Sequence, residues 1–182
     1  TCSGTPSGFS DFVKLQAATG TSAVADLTFQ NLDVTTYRTF KMIFSGYPVT
    51  DNQALRFRFF DGSTEKTDAN TYNWAQGGVT GGGATFDDAD DDSYAQIGGL
   101  AGNNNYEGWR LELTFVPHVS GDPTYQNNFG YSINNRFDNS NSHRGEDHWF
   151  KFHQADVTNG FKIFPGSGNI AAYSYTLYGL KR

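Results

Sequence analysis

Residues 54–60, ALRFRFF, alternate with a period of two: Leu55, Phe57 and Phe59 fall on one side, Arg56 and Arg58 on the other. That is the pattern of a strand with one face on a core and one in water. Residues 106–118 repeat it, with Trp109, Leu111, Leu113 and Phe115 set against Arg110, Glu112 and Thr114. Residues 23–32 alternate too, placing Ala25, Leu27, Phe29 and Asn31 opposite Val24, Asp26, Thr28 and Gln30. Further strands are predicted over 12–18, 37–47, 71–76, 94–100, 127–133, 149–155, 160–165 and 171–180. Thr19-Gly20, Pro48, Asp61-Gly62 and the Asn run at 103–105 supply the stops and turns between them. Nowhere do Ala, Leu, Glu and Lys recur at helical spacing.

About ten short strands with turn signals between them predict an all-β chain, a jelly-roll-like antiparallel β-sandwich. No Pro- or Ser-rich linker divides residues 1–182, so one domain is expected. Two stretches break the alternation. Residues 77–93 (GGVTGGGATFDDADDDS) and 134–148 (NNRFDNSNSHRGEDH) are rich in Gly, Asn and Asp and predict long polar loops.

Composition sharpens this picture. The 182 residues include 16 Phe, 10 Tyr and 3 Trp with 21 Gly, a mixture suited to pleated surfaces joined by tight turns. The formal net charge of −6 argues against a phosphate-backbone partner, which needs clustered Lys and Arg. No apolar run approaches the ~20 residues of a membrane helix. Cys2 has no partner for an internal disulfide and no Asn-x-Ser/Thr sequon occurs, which together favour folding in a reducing cytoplasm. Thr1 in place of Met points to a processed or trimmed chain, or to a fragment.

The chain ends GSGNIAAYSYTLYGLKR. This ending resembles that of a group of bacteriophage virion proteins. They are tail-fibre, tail-spike and head-decoration β-sandwich domains that close on Gly-Asn-Ile, a strand, and Leu-Tyr-Gly. The matching residues are Gly168, Asn169, Ile170, Leu177, Tyr178 and Gly179. A second likeness joins YRTFKMIFSGYPVTDNQALRFRFF to NTYNWA, so that the resemblance covers residues 23–75 and 160–182. It implies a fold, with the last strand lying between neighbours, and a setting in a virion. It implies no catalytic residues. The expectation is a non-enzymatic surface appendage, a tail fibre or capsid decoration, assembled in the bacterial host. It would work by self-association, by default as a homotrimer, and by docking on other virion proteins.

Candidate chemistry competes with plainer readings. Asp88, Asp90 and Asp92, in the run 87–92, offer oxygen ligands for Ca²⁺, but their spacing is not that of an EF-hand and a solvated acidic loop is the commoner outcome. Tyr72, Trp74, Tyr125 and Trp149, with Tyr106, are candidates to stack on a sugar ring of a host-surface glycan; core packing is the alternative, and it is the expectation for Trp74, Trp109 and Trp149. This gives the rival reading of a carbohydrate-binding, receptor-recognition module, with Ca²⁺ assisting. Glu146, Asp147 and His148 in GEDHWF raise acid–base chemistry, although glycoside hydrolysis needs two facing carboxylates that no sequence can display. His143, His148 and His153, five apart, with His118 upstream, match no metal-ligand spacing and are expected to be structural or exposed.

Overall fold

The computed structural model describes residues 12–80, 83–104, 107–119, 129–137, 143–154 and 156–181. Thirteen strands run in chain order: β1 (Phe12–Gly20), β2 (Leu27–Phe29), β3 (Tyr37–Pro48), β4 (Gln53–Asp61), β5 (Thr64–Glu65), β6 (Tyr72–Thr80), β7 (Gly83–Asp92), β8 (Ala95–Ala101), β9 (Gly108–Phe115), β10 (Phe129–Phe137), β11 (His143–Phe152), β12 (Gly160–Pro165) and β13 (Ile170–Lys181). Among the described residues they form two antiparallel sheets and there is no helix, as the all-β reading expected. The large sheet has the order β1-β13-β3-β9-β10-β11-β6-β7. The small sheet has the order β2-β12-β4-β5, with β8 also paired to β4.

The alternation of β4 and β9 explains why the sheets stack. Phe57 and Phe59 of β4 and Phe161 of β12 point from the small sheet toward Phe115 of β9 and Phe150 and Phe152 of β11 in the large one. Phe57 lies 4.7 Å from Phe59, 4.8 Å from Phe150, 5.5 Å from Phe115 and 5.6 Å from Phe161, between ring centroids. These are separations at which offset and edge-to-face ring pairs attract. Around this seam Phe40, Met42, Leu55, Ile97, Trp109 and Leu113 are fully buried. Phe29 extends it to the far end, stacked on Phe161 at 4.5 Å and edge-on to Tyr175 at 5.0 Å.

The last strand lies between β1 and β3 along nearly its whole length, Leu180 pairing Phe12 on one side and Thr39 on the other. Its entry is fixed by the Gly-Asn-Ile turn. Gly168 has φ +70°, and a side chain there would begin 2.6 Å from the Thr50 hydroxyl, so only glycine fits. The Asn169 carbonyl accepts from the Val49 amide, and Ile170 exchanges two backbone hydrogen bonds with Val24. Leu177 reaches the core, and a side chain at Gly179 would begin 2.6 Å from the Tyr37 ring.

Three expectations need correction. Residues 77–93 are not a loop: β6 continues to Thr80 and pairs β7 as a hairpin, Thr80 opposite Gly83. Residues 134–137 and 143–148 are the ends of β10 and β11, paired from Phe129↔Lys151 to Phe137↔His143, and 138–142 lie outside the described residues. In 134–148 the composition misleads because the inward positions Asn134, Glu146 and His148 are themselves polar; in 77–93 it misleads because the strand needs little core. β7 is an edge strand with almost every side chain exposed, so nothing requires it to be apolar. Conversely, the alternating segment 23–32 yields only the three residues of β2 and one bridge at Val24.

The seam sets a testable magnitude. Phe57→Ala removes a ring touching four others and is expected to lower unfolding free energy by roughly 3–5 kcal/mol in urea denaturation. A loss under about 1 kcal/mol would mean the sheets are held by something else.

Candidate functional site

Strand parity divides the aromatic candidates. Tyr72 and Trp74 alternate with Asn73 and Ala75 on β6, and both turn inward. Tyr72 is fully buried; its hydroxyl accepts from the Phe59 amide at 2.8 Å and donates to the Lys66 carbonyl at 3.3 Å. Burial pushes that phenol well above its ordinary pKa, and the hydrogen bond from Phe59 offsets only part of the rise. Trp74 is buried too, with its indole N–H donating to Asp92 at 3.4 Å. Neither can stack on a sugar. Trp109 is in the core as expected, donating to the Gly99 carbonyl at 2.9 Å. Trp149 corrects the core expectation. It shares a face of β11 with Lys151 and is 52% exposed, while Phe150 and Phe152 point inward. The company of Lys151 was the available sequence signal. Tyr106, Tyr125 and Cys2 lie outside the described residues.

The aspartates are split by a bulge. Between Ala89 and Asp92 the β7 strand carries one residue more than β6, and Asp91 takes φ +61°. Asp92 is turned to Trp74 and to the Ser93 amide, whereas Asp88 and Asp90 border a shallow surface groove. Among the described residues, no three or more His, Cys, Asp or Glu side chains gather as a metal site. The reading of Asp88, Asp90 and Asp92 as a Ca²⁺ cage is therefore not supported by their placement. On an edge strand, a run of carboxylates does something else: it discourages another strand from pairing there.

That groove, about 300 Å³, is lined by Trp149, Lys151, Asn73, Ala75, Asp88 and Asp90. It brings together one flat aromatic wall, carboxylates, an amide and an ammonium group, a set able to bind a polar ligand with one apolar side.

The acid–base candidates separate by the same parity. Asp147 is exposed on the outer face; Glu146 and His148 are buried between the sheets. Glu146 Oε2 accepts from the Gly99 amide at 3.1 Å and from Asn134 Nδ2 at 3.3 Å, with His148 Nε2 at 3.4 Å. Ser132 donates to the Ile97 carbonyl nearby. β8 is paired to β4 on one side, and these large-sheet side chains take up its remaining main-chain groups at Ile97 and Gly99. Glu146 is thus a buried acceptor that anchors β8, shut away from any substrate. His118 is also structural: its ring Nδ1 lies 2.9 Å from the Asp156 carbonyl, and its amide donates to Thr158 at 2.7 Å. His153 is exposed.

Sequence reasoning missed the outer face of the large sheet. On β10, Gly130, Ser132 and Asn134 face the interior while Phe129, Tyr131 and Ile133 face out, all three substantially exposed. The usual assignment of apolar residues to the core is reversed on a strand in the middle of a sheet. The alternation in FGYSIN was legible; its direction was not. Register places Ile43, Glu112, Ile133, Asp147, Gly77 and Phe86 in one row across the sheet. Lys41, Thr114, Tyr131, Trp149, Ala75 and Asp88 form the next row.

Comparison of the chain with known protein families, with curated proteins and with solved structures finds no match.

The contrast between neighbours on β11 can be measured. Glu146→Leu orphans the Gly99 amide and is expected to cost about 1–3 kcal/mol of stability. Asp147→Asn, one residue away on the outer face, is expected to change it by less than about 0.5 kcal/mol. Equal effects in chemical denaturation would contradict the assigned parity.

Proposed function

We propose that this chain is a non-enzymatic structural protein of a bacteriophage virion, a surface appendage of tail-fibre or capsid-decoration type. It acts through association with copies of itself and by docking on other virion proteins. One observation carries the reading. The segment that resembles the ends of such proteins, from Gly168 to Gly179, enters by a glycine turn and lies between two strands of a β-sandwich, which supports the reading. Gly168, Asn169, Ile170, Leu177 and Gly179 each have a packing or turn role, which suits a family joined by architecture and not by a reaction.

The interior is consistent with that view. The space between the sheets is filled by phenylalanine rings, and of the acid–base candidates Glu146 is a hydrogen-bonded strut there with the buried His148 beside it at 3.4 Å. The acidic, bulged edge strand β7 suits a domain held next to many copies of itself, where open strand edges would misassemble.

A second reading, a carbohydrate-binding receptor-recognition module, is favoured by the Trp149 groove. Sugars present an apolar ring face and equatorial hydroxyls. Trp149 and the Asp88, Asp90 and Asn73 side chains offer the matching surfaces.

One set of experiments separates the two. Mass spectrometry of purified particles of the encoding phage is expected to find this chain, and gold-labelled antibody raised against it is expected to mark intact particles. Its absence from purified particles would overturn the virion reading. On a glycan array, the sugar-binding reading requires signals that Trp149→Ala abolishes; signals unchanged by that substitution, or none, would count against it.

A further inference from the structure

We infer that the outer face of the eight-stranded sheet is a self-association surface, and that its occupant is the same face of a second copy of this chain. The inference rests on the structural reading above and names the surface through which the self-association runs.

Strand β10 supplies the first argument. It is inside-out: Ser132 and Asn134 are buried while Phe129, Tyr131 and Ile133 are exposed. A register slip of one residue would reverse this, so the arrangement is specified by the pairing on both sides. Neighbouring strands add Ile43, Trp149 and Phe86, the last 84% exposed. Phe86 and Trp149 lean together over β6, where a side chain at Gly77 would begin 3.3 Å from one ring and 3.7 Å from the other. Phe129, Tyr131, Ile133 and Trp149, with Phe86 leaning on Trp149, make an exposed apolar patch edged by Glu112, Asp147 and Lys151, and such patches mark interaction sites.

Area and relief identify the partner. From β13 to β7 the rows cross seven strands, about 29 Å at ordinary strand spacing, and from the Ile133 row to the Phe129 row they extend about 20 Å with side chains included. That footprint of roughly 600 Å², before surface relief is counted, reaches the range of stable interfaces, about 600–1,000 Å² per partner. The face is also self-complementary. One half carries the Phe86–Trp149 ridge. The other half carries a groove of about 480 Å³ bordered by Ile43, Ser45, Arg110, Glu112, Ile133 and Thr176. A two-fold axis near β10 seats each ridge in the other copy's groove, the isologous arrangement of closed dimers.

Charge permits the same pairing. Lys41 is paired with Glu112, and Arg110, Lys151, Asp88 and Asp147 share the face. Both signs are present, and where the two-fold sets Asp147 of one copy over Glu112 of the other, Lys41 on Glu112 offsets the like charges. Edge-to-edge association is the less favoured route. β7 carries the aspartates and its bulge, and the opposite edge, β1, shifts register between Lys14 and Gln16. A two-fold pair differs from the trimer that the resemblance implies.

Sedimentation equilibrium of the full chain tests this. The wild-type chain is expected to show a monomer–dimer equilibrium. Ile133→Lys and Trp149→Ala are each expected to weaken it by about thirtyfold or more, the effect of losing a central anchor. Val49→Lys, at an exposed apolar residue off the face, is expected to leave it unchanged. Unaltered far-ultraviolet dichroism and a single cooperative thermal transition confirm that the variants fold. A dimer or trimer indifferent to both face variants overturns the assigned surface while leaving self-association intact. A monomer at every concentration overturns both. Presence of the chain in particles is decided independently, so failure here is not failure of the virion reading.

Discussion

The contact on which the rest of the structure depends is the seam of phenylalanine rings between the sheets. Phe57, Phe59 and Phe161 come from the small sheet, Phe115, Phe150 and Phe152 from the large one, with centroid separations such as 4.8 Å between Phe57 and Phe150 and 5.4 Å between Phe59 and Phe152. A five-stranded and an eight-stranded sheet cannot cover one another fully. The seam fixes where the small sheet sits, over β9 and β11. Toward β8 the interior turns polar: Asn134 donates to Glu146, Glu146 accepts from the Gly99 amide, and Ser132 donates to the Ile97 carbonyl. Rings hold one region by area and a buried carboxylate holds the other by direction. Such a carboxylate adds little net stability but is costly to remove from its partners.

This division also explains the unusual outer face. Because β10 lies over the polar part of the interior, its inward positions are given to Gly130, Ser132 and Asn134. Its apolar residues then have only the solvent side. A strand of the opposite register would bury Tyr131 and Ile133 but take Ser132 away from the Ile97 carbonyl and Asn134 away from Glu146. The exposed face of the large sheet is thus tied to the anchoring of β8 within, and the same constraint that closes the fold leaves a surface suited to another chain.

Much of this was legible from sequence where a strand separates one core face from one wet face. Leu55, Phe57 and Phe59, and Trp109, Leu111, Leu113 and Phe115, lie inward as their alternation requires. The closing strand was legible through turn chemistry at Gly168. Parity without direction was the limit elsewhere. Tyr72 and Trp149 look alike as strand aromatics, and only register sends one to the core and the other to the surface. β7 was hidden because an edge strand with little core contact is free to be Asp- and Gly-rich. Glu146 and Asp147 are adjacent carboxylates whose separation into a strut and a surface charge follows from the pleat alone.

Native-state hydrogen exchange measures the seam most directly. If the rings join the sheets into one cooperative unit, the amides of β4, β9 and β12 exchange only through global unfolding, while those of β7 exchange by local opening. The Phe59 amide, bonded to the buried Tyr72 hydroxyl, is the most informative probe. Protection there equal to the global unfolding free energy is the predicted result. Exchange of β4 and β12 well before β9, as if the small sheet lifted away by itself, would contradict the account.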